Sequence, residues 1–168
     1  MRRDKTRGKL RVVVADDHRL VREAFCLLLS RTGRVEIVGE AGDGRETIAL
    51  IQQHRPDLVL MDVAMPNLNG IDATTRIKSE FPRTKVLIIS MHSDEEYVIR
   101  AFRAGASGYV LKDAAASELE LAVKSIATGR TFLGPSISRN VVNKYLKGVG
   151  ETQNSLDQLP GANAKSCN

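Results

Sequence analysis

Short runs rich in Val, Leu and Ile alternate along this chain with amphipathic stretches whose apolar residues return every three or four positions. A brief apolar run bounded by turn residues is the pattern of a strand buried on both faces, and its regular alternation with helical stretches predicts an α/β domain around a parallel sheet. Strands are expected at Arg11 to Ala15, Val35 to Glu40, Asp57 to Met61, Lys85 to Ile89 and Ser107 to Leu111. Helices are expected at 18–30, where Leu20, Val21, Ala24, Phe25, Leu27 and Leu28 share a face, at 44–54, from Gly70 to about Glu80, at 94–104 and at about 117–128. Gly33 marks the end of the first helix, while Pro56 and Pro82 break the chain before strands three and four. Ser117-Glu118-Leu119-Glu120 has the spacing of a capping box at the start of helix five. Beyond Gly129, Thr131 to Pro135 reads as a turn, and Ser136 to Leu146 places Ile137, Val141, Val142, Tyr145 and Leu146 at the spacing of a linker helix.

The polar residues that close these apolar runs add chemistry to the scaffold. Asp16-Asp17, Asp62, Ser90 and Lys112 stand at or just beyond the ends of four predicted strands, so one edge of the sheet should gather them. That edge is where doubly wound sheets bind ligands. Three carboxylates, a hydroxyl and an ammonium suit a divalent cation and a phosphoryl group, because hard oxygens hold Mg²⁺ and the cations neutralise phosphate charge. Each residue also has a plainer use. The acidic pair could cap the next helix, Ser90 could be an ordinary loop hydroxyl, Lys112 a solvated lysine and Tyr109 a core residue. Asp62 has the fewest structural excuses, since an unpaired carboxylate at the end of a buried strand is costly.

The 168 residues, 42% of them hydrophobic, suffice for one domain with tails. The formal net charge of +5 points first to nucleic acid, but residues 1–11 hold six basic side chains against Asp4, leaving 19 basic and 19 acidic residues elsewhere. A solvated basic arm over residues 1–8 is therefore expected, with no nucleic-acid surface on the folded part. The two cysteines, Cys26 and Cys167, form no disulfide framework or zinc pattern. With no apolar signal core or membrane-length run, the expected setting is the cytoplasm. His18, His54 and His92 lie on separate segments and make no metal motif, and Met61 and Met65 read as packing residues.

Four segments, Val-Val-Val-Ala-Asp16-Asp17-His18, Leu-Val-Leu-Met-Asp62-Val-Ala-Met-Pro66-Asn-Leu-Asn-Gly70, Val-Leu-Ile-Ile-Ser90 and Gly105-Ala-Ser-Gly-Tyr109-Val-Leu-Lys112, together carry a resemblance. In this order and at these spacings, the chain over about residues 9–128 resembles the receiver domains of bacterial two-component response regulators, specifically of the NarL/FixJ (LuxR-type) transcription regulators. The resemblance implies a flavodoxin-like (βα)5 domain with parallel sheet order 2-1-3-4-5. It implies that Asp62 is the phosphoacceptor, that Asp17, Asp62 and the carbonyl of Ala64 bind Mg²⁺ directly, and that Asp16 does so mainly through water. Lys112 would pair with the phosphoryl oxygens, Ser90 would hydrogen-bond to them, and Tyr109 would turn inward and alter the face made by helix four, strand five and helix five. The side chains of Ala64 and His92 would tune the lifetime of the phosphoryl group. The implied partners are a sensor histidine kinase, docking on helix one and the loop after strand five, and a second copy of the chain in a homodimer. Such a domain is a phosphoacceptor, with at most weak self-phosphorylation and autodephosphorylation, and is no enzyme.

Two departures from the family pattern stand out. Many receivers follow the lysine with proline in a cis peptide, whereas Asp113 follows Lys112 here, and a cis bond to a non-proline residue costs about 2.5–4 kcal/mol. NarL/FixJ-type regulators also continue into a helix-turn-helix domain, for which this sequence leaves no room after a linker turn and helix at 129–147. Leu156-Asp157-Gln158-Leu159 is similar to the lead-in of that domain, but the residues after it are not. Read in a shifted frame, the codons of this tail can encode Gly-Arg-Glu-Arg-Glu-Val-Leu-Gln, similar to the opening of such a domain. The expectation is a disordered tail at 148–168 produced by a frameshift, and no specific operator binding by this chain. An aspartate-nucleophile phosphatase is the competing enzymatic reading; it expects its two aspartates spaced two apart after strand one, and here they are adjacent.

Overall fold

The computed structural model describes residues 8–143 and Leu146. The N-terminal basic segment up to Arg7, most of the tail and the frameshift reading of that tail lie outside the described residues. Strands and helices alternate as β1 (Leu10–Ala15), α1 (Arg19–Ser30), β2 (Val35–Ala41), α2 (Gly44–His54), β3 (Leu58–Asp62), α3 (Gly70–Glu80), β4 (Lys85–Ser90), α4 (Glu95–Arg103), β5 (Gly108–Leu111), α5 (Ala116–Ala127) and β6 (Phe132–Leu133). Residues 135–143 form a further helix, α6. All strand pairs are parallel, in the order β2-β1-β3-β4-β5-β6.

The inner strands are mostly apolar because both faces of the sheet are covered, whereas the edge strand β2 carries exposed Glu36 and Glu40. Val13, Val59, Met61, Val86, Ile88 and Tyr109 point into a core shared with α2, α3 and α4. Their neighbours Val12, Val14, Leu58, Leu60, Leu87, Ile89 and Val110 point into the other, with Leu29 of α1 and Leu119, Val123 and Ile126 of α5. The two-residue period of a strand assigns these alternately. Among the described residues, no helix is long and apolar enough to cross a membrane.

Three local expectations are corrected. The stretch read as a turn at Thr131 to Pro135 contains a sixth strand, in which Phe132 and Leu133 pair with Gly108 and Tyr109. Gly129, at φ +88°, turns the chain back out of α5. The Phe132 N–H then donates to the Ser107 carbonyl at 2.9 Å, and the Gly134 N–H to the Tyr109 carbonyl at 3.0 Å. Two residues are too few to show a period. The linker helix does not simply trail, because Ile137 is fully buried in the same core as Tyr109, with Leu133 and Val141 packed beside it. Finally, α5 takes Ala115 as its N-cap, with no side-chain capping bond, so Ser117 lies inside the first turn instead of closing a capping box. No cis peptide occurs among the described residues, including Lys112-Asp113.

Candidate functional site

The parallel ladder runs β1, β3, β4 and β5 side by side and ends all four at one edge. The acidic pair is held there from both directions. The Asp16 N–H donates to the Ala41 carbonyl at 3.0 Å, and the Arg22 guanidinium of α1 reaches back to the Asp16 carbonyl at 2.8 Å and to Glu40 Oε1 at 3.3 Å. Neither aspartate caps α1. Its N-cap is His18, and Asp16 Oδ1 accepts the His18 N–H at 2.8 Å. The plain capping role considered for the pair is therefore not the one they play.

Asp62 is the last residue of β3 and is buried, as is Asp16; Asp17 stands at the rim. Gly70 makes room for this strand end, since a Cβ there would collide with the Asp62 carbonyl. Lys112, just past β5, extends its ammonium to 2.9 Å from Asp16 Oδ2 and 3.2 Å from Asp62 Oδ2. The ammonium is thus shared between the two buried Oδ2 atoms, and neither has any other hydrogen-bond partner. Asp62 Oδ1 has only the Ala64 N–H, at 3.4 Å.

One ammonium thus faces two buried carboxylates with a third at the rim. Burial, and then the neighbouring charge of Asp16, push the Asp62 carboxyl up to about 6, against the partial relief given by Lys112. Burial pulls the Lys112 ammonium down, but the Asp16 and Asp62 carboxylates outweigh it and hold the group above its ordinary value. The negative charge that one ammonium leaves uncompensated among three carboxylates fits a hard divalent cation. Single ligand atoms of Asp16, Asp17, His18 and Asp62 lie within 4.8 Å of one another. Ala64 is exposed beside this cluster.

Ser90, His92 and Tyr109 form a connected second part of the same edge. The buried Ser90 Oγ accepts the His92 N–H at 3.0 Å, and the Tyr109 hydroxyl donates to the His92 carbonyl at 2.6 Å. The His92 ring, itself exposed, stacks on Tyr97 with centroids 4.4 Å apart and planes 8° from parallel. Tyr109 is fully buried, so it already occupies the inward position that its proposed switch requires. Burial raises its phenol above the ordinary value.

The structure brings together Asp16, Asp17, Asp62 and Lys112, with Ala64 at the rim, and links Ser90, Tyr109 and His92 at the neighbouring strand ends. Sequence reasoning missed three features. His18 joins the acidic cluster, and its position directly after the pair was the available signal. Arg22 holds the Asp16 loop from a helix position where an arginine looks merely solvated. Asn67, at φ +67°, donates its side-chain amide to Asp43 Oδ2 at 2.9 Å and so ties the β3–α3 loop to the N-cap of α2. The Pro66-Asn67 pair signals a turn but names no partner.

Comparison with known proteins agrees with this geometry. A family model described as the response regulator receiver domain matches residues 12–124. The chain is 39% identical over 149 residues to the oxygen regulatory protein NreC of Staphylococcus carnosus, an alignment covering 88% of this chain and 69% of that protein. It is 36% identical over 152 residues to the transcriptional regulatory protein DegU of Brevibacillus brevis, covering 90% and 64% respectively. The chain thus spans about two thirds of the length of these curated relatives. The crystal structure of a LuxR-family two-component response regulator from Aurantimonas sp. SI85-9A1 superposes with a TM-score of 0.80 at 34% identity, covering 83% of this chain and 99% of that one. With the family model spanning the sheet and its acidic edge, the chain belongs to the response regulator receiver domain family, among relatives of the LuxR and NarL type.

Proposed function

We propose that this chain accepts a phosphoryl group on Asp62 from a phosphohistidine of a sensor kinase, with Mg²⁺ as cofactor. The observation that carries the reading is the buried Asp62 carboxylate, which stands beside the Lys112 ammonium and a second buried carboxylate at the ligand-binding edge of the sheet. An Asp62 carboxylate oxygen attacks phosphorus; a P–O bond forms as the P–N bond breaks, and its electron pair returns to the donor imidazole nitrogen. Asp16, Asp17, Asp62 and the Ala64 carbonyl would hold the Mg²⁺, which supplies positive charge against the phosphoryl oxygens. Lys112, beside Asp16 and Asp62, would add its own positive charge. The Ser90 hydroxyl, now accepting the His92 N–H, can instead donate to a phosphoryl oxygen.

That exchange is felt beyond the site because His92 is bonded to both Ser90 and Tyr109. Moving Ser90 pulls on the segment leading into α4, whose face with β5 and α5 is the one the switch alters. The exposed side chains of Ala64 and His92 flank water's approach and tune how long the phosphoryl group survives. A docking surface for the kinase is supported by α1, where Leu20 and Leu27 are 79% and 65% exposed, beside an apolar groove of Val21, Phe25, Leu28 and Leu119 that ends at Lys112. Homodimerisation and control of transcription by a longer parent regulator complete the proposal. The phosphatase reading has no observation in its favour, and the aspartates that follow β1 are adjacent.

Intact mass after incubation with acetyl phosphate and Mg²⁺ tests the reading. One phosphoryl adduct is expected, abolished by chelation and absent from Asp62→Asn. A folded protein that gains no adduct, or an adduct that persists in the variant, overturns it.

A further inference from the structure

An imidazole in the acidic site is not explained by Mg²⁺ chemistry. His18 Nδ1 lies 3.0 Å from Asp17 Oδ1 and 3.5 Å from Asp16 Oδ1. As the N-cap of α1, with φ −89° and ψ 105°, His18 has extended backbone and stands outside the helical turn. Its side chain is 69% exposed, so burial does not account for its place. Beside it lie two buried carboxylates, Asp16 and Asp62, whose Oδ2 atoms have the single Lys112 ammonium between them. Together with the exposed rim they offer oxygen and nitrogen donors within 4.8 Å of one another. Ligands at about 2.0–2.2 Å from one ion stand up to roughly 4 Å apart, so only a small inward movement of the exposed rim is needed. Mg²⁺ takes oxygen donors and retains water, whereas imidazole suits later first-row cations.

We propose that His18 is a nitrogen ligand of this site, which makes it a mixed nitrogen and oxygen centre favouring Co²⁺ and Zn²⁺, and to a lesser degree Mn²⁺, over Mg²⁺. The inference rests on reading the acidic cluster as a metal centre, and it adds a ligand and a cation class to that reading. Mg²⁺ remains bound by oxygen donors alone. With a transition cation, the exposed His18 and Asp17 would move inward at the rim. The cation present therefore decides how open the mouth of the site is.

Electron spin echo envelope modulation of the full chain loaded with Mn²⁺ tests this directly. Nitrogen-14 modulation is expected, changing to the nitrogen-15 pattern on labelling histidine and disappearing in His18→Ala. His54→Gln and His92→Gln should leave it intact; these three are the only histidines in the chain. By calorimetry, His18→Ala should weaken Co²⁺ binding by more than about tenfold while changing Mg²⁺ affinity less than about twofold. Mn²⁺ bound without nitrogen modulation, together with unchanged Co²⁺ affinity, overturns the inference and leaves phosphoryl transfer standing. Failure to bind either Mn²⁺ or Mg²⁺ overturns both.

Discussion

The two ends of one sheet treat their polar groups in opposite ways. Where the strands begin, the groups are provided for. The Arg11 N–H donates to Asp57 Oδ2 at 2.9 Å and its guanidinium to the His54 carbonyl at 2.6 Å. The buried Thr84 hydroxyl donates to the Pro56 carbonyl at 3.1 Å, and the Lys78 ammonium donates to the Pro82 and Thr84 carbonyls at 3.1 and 3.3 Å. Where the strands end, the buried Asp16 and Asp62 carboxylates have one ammonium to share between them. Folding alone favours the first arrangement. The second costs stability, and such a cost is tolerated where a ligand will relieve it.

Removing the shared ammonium should have the largest effect. Without metal, Lys112→Met leaves two buried carboxylates uncompensated and should lower stability by about 3 kcal/mol, read as a fall in the urea midpoint that Mg²⁺ partly reverses. An unchanged midpoint would mean that the strand-end site carries no such tension.

The opposite sign is expected when a carboxylate is removed. Asp62→Asn should stabilise the metal-free protein at pH 7.5 by about 2 kcal/mol, because a carboxyl raised from 3.8 to about 6 opposes folding once ionised. The folded state binds this proton more readily than the unfolded chain. The gain should therefore be full above about pH 6, shrink as pH falls towards 3.8 and vanish below it. Thermal melts of both proteins across this range check the sign, and a variant less stable at pH 7.5 would refute it.

At the satisfied end, removing a partner should only hurt. Thr84→Val strips the buried Pro56 carbonyl of its donor and should cost about 1–2 kcal/mol, with no pH dependence between 5 and 8. Equal stability in urea would erase the contrast between the ends. Away from both, Arg76→Ala breaks an exposed pair with Glu80, 3.1 Å apart, and should shift stability by less than about 0.5 kcal/mol. A larger loss there would show that surface charge matters more to this fold than the sheet ends do.

The strand ends were legible because burial on both faces forces long apolar runs, so any acid, hydroxyl or ammonium at the end of one is conspicuous. Asp62 and Lys112 stand out in this way. β6 was not legible, since two residues have no period, and its pairing depends on a turn at Gly129 and free hydrogen-bonding groups on β5. The burial of Ile137 was equally hidden, because its spacing fits a solvated helix as well as one laid against a core. His18 was visible as a residue but not as a participant: only the extended backbone at the head of α1 turns its ring towards the acids.

The sequence by itself determined the alternation of strands and helices, the parallel sheet and the set of groups at its functional edge. These follow from periodicity and residue type, which act over a few neighbouring positions. Tertiary structure alone decided that Lys112 is divided between Asp16 and Asp62, that Tyr109 lies inward on His92, and that Arg22 braces the acidic loop. Those outcomes depend on ångström distances between groups on different elements of the fold, where Coulomb energy and hydrogen-bond geometry change steeply and apolar periodicity carries no information.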